Sequence, residues 1–317
     1  MSIVGVTREL LVRYLDTWAP AALHGARRAT FAQAWTPQPD VDAAEAALRV
    51  FAEFADRLRG RRLSIVLVAP ETAGLTARLD AVQAQLGTPP ELSVHAVAGD
   101  PAERLGVALK AAGSAGAPLL VYADITGADI TGADITGSAG AVPEVVAAGR
   151  PVELMLVAPS GGWAGHRDAL RAAGFPLTTG VELVEGDDAG LGGAVGSRVS
   201  LVAFATGSAK NLEVFKNSMW AVDEYAGVRY RDPTDPDGHL SDISLSPHPG
   251  PLRRELLAHL GTAGERSVTE LRHFTLTETI FRPADTVRVV TALLAAGTVT
   301  RRPEHGRLSG DVVISLR

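Results

Sequence analysis

Acidic side chains follow several short apolar runs of this sequence. Glu71 comes after Leu63–Val68, Asp100 after Leu92–Val97, and Asp124 lies near the end of Pro118–Ile125. In an open α/β sheet the residues just past each strand are the ones that meet a ligand, so these carboxylates are the first candidates for chemistry. Asp124 also opens a threefold Ala-Asp-Ile-Thr-Gly repeat, Ala123–Gly127, Ala128–Gly132 and Ala133–Gly137. Asp124, Asp129 and Asp134 can in principle gather a hard cation, but no His or further close carboxylate joins them, so no metal is expected. Three units make less than one coil of a solenoid, and the repeat reads as a tandem expansion of one loop.

Other motifs speak against nucleophilic or phosphate chemistry. Ser160-Gly161-Gly162 lacks the Gly-x-Ser-x-Gly frame of a nucleophile elbow, and the eight histidines fall in no Ser/His/Asp order. The glycine-rich run Gly190–Gly196 is not followed by Lys-Ser/Thr, as a phosphate loop requires. His166 and His273 read as structural or exposed. With no Cys in the chain, disulfides, thiolate nucleophiles and cysteine-bound metal centres are excluded.

The elements that must position these residues alternate. Leu10–Trp18 has helical spacing, and Pro20 is expected to stop that helix. Strand-length runs follow at Ala29–Ala34, Leu63–Val68, Leu92–Val97, Pro118–Ile125 and Val152–Val157. Helical patterns lie between and after them at Val41–Leu58, Leu75–Leu86, Ala102–Ala112, Val142–Ala148 and Trp163–Ala173. This order predicts a parallel, doubly wound sheet. Strands at Leu177–Val184 and Arg198–Phe204 and a helix at Leu212–Val222 complete the unit. The expected organisation is a Rossmann-like domain over 1–230, a turn-rich linker over 231–250 and a second domain over 251–317. In the tail, Leu252–Leu260, Val268–Phe274 and Ala284–Ala296 read as helices, and Val299–Arg302 with Asp311–Leu316 as a hairpin. That order predicts a winged helix.

Charge divides the chain. From Pro251 onward ten arginines face seven acidic residues, which leaves the first 250 residues near −9 within a net charge of −6. A local basic face can bind nucleic acid, and the candidate contacts are Arg282 and Arg288 at the third tail helix with Arg301, Arg302 and Arg307 in the wing. Arg253, Arg254 and Arg272 can add to that face, while Lys210 and Lys216 are placed at the cleft between the units. No apolar run approaches the roughly 18–20 residues of a membrane span, and Met1–Gly5 lacks the features of a secretory signal, so a cytoplasmic address is expected.

Taken together, Leu10–Trp18, the strand order, Phe215-Lys216-Asn217-Ser218-Met219-Trp220 and the layout of the tail resemble the three-Cys-motif partner (TcmP) family over nearly the full chain. The resemblance implies a class I methyltransferase fold with an added winged helix, S-adenosylmethionine as cofactor, and a partner protein bearing three cysteines. It also exposes departures. Where the family carries Phe-Ala-Gly-Pro-Gly after the first strand, this chain has Phe31-Ala32-Gln33-Ala34-Trp35. Gln33 and Trp35 would project into the space where missing side chains let the backbone approach the cofactor. Ala69 stands where a ribose-binding Glu is expected, and Glu71 substitutes only with a shifted backbone. Gly99-Asp100 is kept, and Asp100 either faces the adenine amine or caps a helix ahead of Pro101. Asp124 and Gly127 keep the ends of the family's Asp-Pro-Phe-Gly, making Asp124 either a catalytic or positioning carboxylate or a turn former. The expectation is a degenerate, non-catalytic methyltransferase-like accessory protein with no cofactor, whose tail binds DNA or a partner protein. The alternative is a working S-adenosylmethionine-dependent methyltransferase acting on nucleic acid or a small molecule.

Overall fold

A computed structural model describes residues 2–36, 38–126, 149–186, 198–222 and 227–317. The expected helix Val142–Ala148 lies outside the described residues. The first helix, α1, spans Ile3–Gly25 and is capped by Ser2, whose hydroxyl accepts from Gly5 N. It runs through Pro20 instead of stopping there. Trp18, Ala19, Ala22 and Leu23 are all buried on the core side, so packing outweighs the one backbone hydrogen bond that proline removes.

Strands β1 (Arg28–Trp35), β2 (Arg62–Ala69), β3 (Leu92–Ala98), β4 (Ala117–Asp124) and β5 (Gly149–Pro159) pair in parallel. The crossovers carry α2 (Val41–Glu53), α3 (Ala73–Leu86) and α4 (Pro101–Ala111). Beyond β5 come α5 (Trp163–Ala172), β6 (Leu177–Glu185), β7 (Arg198–Thr206) and α6 (Ala209–Trp220). β7 inserts antiparallel between β5 and β6. Two strands absent from the sequence reading, β8 (Val228–Arg231) and β9 (Leu240–Asp242), extend the sheet, so the expected linker over 231–250 carries part of it. The order is β3-β2-β1-β4-β5-β7-β6-β8-β9. Its 3-2-1-4-5 half is that of a Rossmann-like sheet, and the chain is therefore a mixed, Rossmann-like α/β protein.

Alternation along β1 separates two apolar cores. Phe31 and Trp35 join the larger one beneath α1, α2, α3 and α6, whereas Ala32 and Ala34 face the smaller one beneath α4 and α5. The tail consists of α7 (Gly250–Ala263), β10 (Arg266–Ser267), α8 (Val268–Glu278), α9 (Pro283–Ala295), β11 (Val299–Arg302) and β12 (Val313–Leu316). Its three strands form an antiparallel sheet in the order β10-β12-β11. The larger core continues without a break into Leu252, Leu271, Phe281, Val290 and Ile314 of the tail.

A clamp from α6 holds this joint. The Lys216 ammonium, fully buried, donates to the carbonyls of Thr275 (3.0 Å), Thr279 (2.5 Å) and Phe281 (3.1 Å), and Trp220 Nε1 donates to Ile280 O at 3.0 Å. A cation is well placed against the orphan carbonyls that end α8. Instead of lining a cleft, Lys216 is sealed in this joint, while Lys210 is exposed.

Candidate functional site

The carboxyl ends of β1–β4 are where a Rossmann-like sheet takes its ligand. At β1 the strand runs on through Gln33-Ala34-Trp35, where the resembled family carries a glycine-rich turn. Backbone pairing continues on both sides: Gln33 lies between Leu67 and Tyr122, Trp35 pairs with Asp124, and Thr36 N donates to Asp124 O at 2.9 Å. Gln33 is 0% exposed and Trp35 is 1% exposed. Both point into the core with Phe31. Neither the Gln33 amide nor the Trp35 indole N–H has a hydrogen-bond partner. Instead of lining a cofactor site, the two side chains fill the strand's end.

The remaining candidates are spent locally. Ala69 is buried at the end of β2, and Glu71 is exposed beyond it. Gly99 adopts φ +132°, and a Cβ there would meet the Arg104 side chain at 2.9 Å, so this backbone suits glycine. Asp100 caps α4 by accepting from Ala102 N at 2.9 Å, the structural of its two readings. Asp124 Oδ1 accepts from Thr126 N (3.0 Å) and Thr126 Oγ1 (2.7 Å), closing a turn on its own backbone. Burial raises its pKa, the Thr126 bonds oppose the rise, and Asp40 adds to it. Gly127, Asp129, Asp134 and Gly190–Gly196 lie outside the described residues.

Sequence reading missed what stands beside Asp124. Asp40 caps α2 through Ala43 N and is held by Arg8 at 3.0 Å, which also reaches Asp42 at 3.2 Å. The buried Tyr122 hydroxyl is pushed up by desolvation and then by Asp124 and Asp40. An Asp before a helical run was a visible capping signal for Asp40, but nothing in the sequence links Arg8 to it across 32 positions. The group provides the half-buried Asp124 carboxylate, the Asp40 carboxylate that caps α2, the exposed Asp42 carboxylate and the buried Tyr122 phenol, without a nucleophile–base pair. Elsewhere Gly161 N donates to Glu182, and burial lowers the pKa of His166. Among the described residues Asp235, Asp237 and His239 come together, but Asp235 is occupied by Asp237 N, His239 N and His239 Nδ1 within one turn.

In the tail, four of the five arginines expected to contact nucleic acid are bound within the chain. Arg282 forks onto Asp285 at 2.9 and 3.0 Å and donates to Leu245 O. Arg288 holds Pro247 O at 2.7 Å and Asp285 at 3.3 Å. Arg301 donates to the carbonyls of Pro303, Gly306 and Arg307, tying the β11–β12 turn, and Arg302 pairs with Glu265 at 3.0 Å. Arg307, whose carbonyl accepts from Arg301, is exposed. The outward positions of α9 are Ala284, Arg288, Thr291, Ala292 and Ala295, a face with a single, already engaged cation. Arg253, Arg254 and Arg272 are exposed on other helices.

No protein-family model matches the chain, and no curated protein is detectably similar to it in sequence. Among solved structures it is similar to a probable spermidine synthase from Corynebacterium glutamicum ATCC 13032, with 12% identity, 71% of this chain and 75% of that one covered, and a TM-score of 0.39. A TehB-like SAM-dependent methyltransferase from the same species (strain ATCC 13032 Kitasato) gives 14% identity over 62% of this chain and 88% of that one, with a TM-score of 0.32. A precorrin-6y C5,15-methyltransferase from Geobacter metallireducens GS-15 gives 11% over 59% and 87%, with a TM-score of 0.31. The Rossmann-like assignment stands on the strand order itself. No helix among the described residues is long and apolar enough to cross a membrane.

Proposed function

We propose that this chain is a methyltransferase-like scaffold without methyl-transfer activity, an accessory protein whose C-terminal unit is a winged helix that docks a partner protein. One observation carries the first half: β1 continues as a paired strand through Gln33 and Trp35, and both side chains are sealed in the core. A cofactor approaching the backbone there would have to expel a tryptophan and break sheet pairing. The capped Asp100, the turn-forming Asp124 and the outward Glu71 supply no compensating contact.

The helix–strand–helix–helix–strand–strand order of the tail supports the winged-helix reading. Partner protein is favoured over DNA because Arg282, Arg288, Arg301 and Arg302 already satisfy intrachain acceptors. A phosphate would have to displace these contacts, and the exposed face of α9 is small and nearly uncharged. The resemblance to three-Cys-motif partners suggests a cysteine-bearing protein as that partner.

Isothermal titration of the full chain with S-adenosylmethionine and with duplex DNA tests both halves. No saturable heat is expected up to about 1 mM cofactor, and DNA binding is expected no tighter than about 10⁻⁴ M at physiological salt. Micromolar cofactor binding would overturn the scaffold reading and favour a working methyltransferase. Tight, salt-dependent DNA binding lost in Arg307→Ala would overturn the preference for a protein partner.

A further inference from the structure

Among the described residues β3 has a neighbouring strand on one side only. Native edge strands are usually kept from pairing with other chains by charge, proline, a bulge or shortness. β9, at the opposite edge, is three residues long and ends on Asp242. β3 carries none of these devices. Its seven residues, Leu92-Ser93-Val94-His95-Ala96-Val97-Ala98, include no Lys, Arg, Asp, Glu, Pro or Gly, and they pair with β2 without a break in register. His95 and Ala98 are exposed, and Ser93, Val94, Ala96 and Val97 are half-buried.

The pairing with β2 decides which backbone groups are left over. Leu63 N donates to Glu91 O at 3.0 Å and Gly99 N donates to Ala69 O at 2.9 Å, so the odd-numbered residues turn their backbone groups to β2. The groups of Val94, Ala96 and Ala98 therefore face the free edge. An edge can pair antiparallel with its own copy about a two-fold axis. An axis through His95, the midpoint of the strand, sets Val94 opposite Ala96 and Leu92 opposite Ala98 of the second copy. These are the outward-facing residues, so full overlap and the hydrogen-bonding register coincide.

Charge also matches in this register. Glu91 of one copy falls beside Gly99 of the other, over which Arg104 lies: a Cβ at Gly99 would meet Arg104 Cγ at 2.9 Å and Nε at 3.1 Å. Odd-numbered residues of β3 share the α4 side of the sheet, as Val97 does in packing on the smaller core. Opposite charges thus meet on one face, twice about the axis. We infer that β3 is a homodimer interface, two copies pairing antiparallel edge to edge across His95, with Glu91 of each facing Arg104 of the other. The inference does not depend on whether the strand ends bind a cofactor or on what the tail docks.

Sedimentation equilibrium of the full chain from about 1 to 100 μM tests it. A monomer–dimer equilibrium with a Kd on the order of 10 μM is expected, since strand pairing alone makes a small interface. Ala96→Pro removes an outward N–H while leaving the β2 ladder its bonds, and should be monomeric throughout. Glu91→Arg and Arg104→Glu should each weaken the dimer about tenfold, and the double variant should return to within about twofold of wild type. A wild type that stays monomeric at 100 μM overturns the proposal. So does a dimer that persists unchanged in Ala96→Pro, or a double variant no tighter than the single ones. Should Ala96→Pro fail to fold by circular dichroism, His95→Asp decides: two carboxylates facing each other across the axis must dissociate the dimer, and unchanged association rejects the interface.

Discussion

Gln33 is a polar side chain placed where the fold offers it nothing. Its amide oxygen and nitrogen are buried between Leu67 and Tyr122 without partners, and each unmet group keeps the cost of leaving water. Gln33→Met retains length and removes both groups, so it should raise the unfolding free energy by about 1–3 kcal/mol in urea titration. A loss of stability would mean that the amide has a role the fold does not reveal. Glu255 gives a residue-scale pH signature. Its carboxyl is pushed up to about 8, by burial first and then by Asp232 and Asp235, against the opposing Lys216 and Arg254. The unfolded chain releases this proton near 4.5, so between the two values the folded state holds a proton that the unfolded state lacks. The contribution is therefore intact below about pH 4.5 and lost as pH rises through 8. Glu255→Gln should flatten that decline and leave the protein more stable at pH 9 by about 1–2 kcal/mol, a figure discounted because the group reaches solvent. Thermal denaturation across pH checks it, and parallel curves for the two proteins would contradict the assignment.

Among the elements, α6 and the end of α8 form the pair whose energetics matter most. Lys216 satisfies three carbonyls and Trp220 a fourth, while the Trp220 ring stacks on Phe281 at 5.5 Å. Lys216→Met would take a buried donor from all three carbonyls, while Thr275 O keeps its bond from Thr279 Oγ1, and should cost about 3 kcal/mol. Trp220→Phe keeps a ring but loses one hydrogen bond, and about 1–2 kcal/mol is expected. Chemical denaturation of both variants measures this; equal, small losses would show that apolar packing alone holds the joint. β1 is the other informative element. Its alternation is that of any strand buried on both faces, and this is why Gln33 and Trp35 stay in the ladder when no glycine is present to release it.

At the scale of the whole molecule, one apolar core spans the Rossmann-like body and the tail. Units that share a core and a buried clamp lose their packing together, so scanning calorimetry should show a single transition with matching calorimetric and van't Hoff enthalpies. Two resolved transitions would show that the tail folds independently.

The alternating strands and helices from β1 to β4, the strand β5, and the tail's helices and hairpin were legible in the sequence, because period and turn residues are local properties of the chain. So was the absence of glycine at Gln33 and Trp35, where the resembled family carries it, which needs only a comparison of residue types. Whether those side chains would open a site or fill a core was decided by tertiary structure, as the strand's pairing with β2 and β4 fixes where they point. The sheet's extension by β8 and β9 and the continuation of α1 through Pro20 were decided the same way, by partners distant in sequence. The tail arginines make the contrast plainest. Composition counts their charge, but only the folded chain brings Asp285, Leu245, Pro247 and Glu265 close enough to engage it.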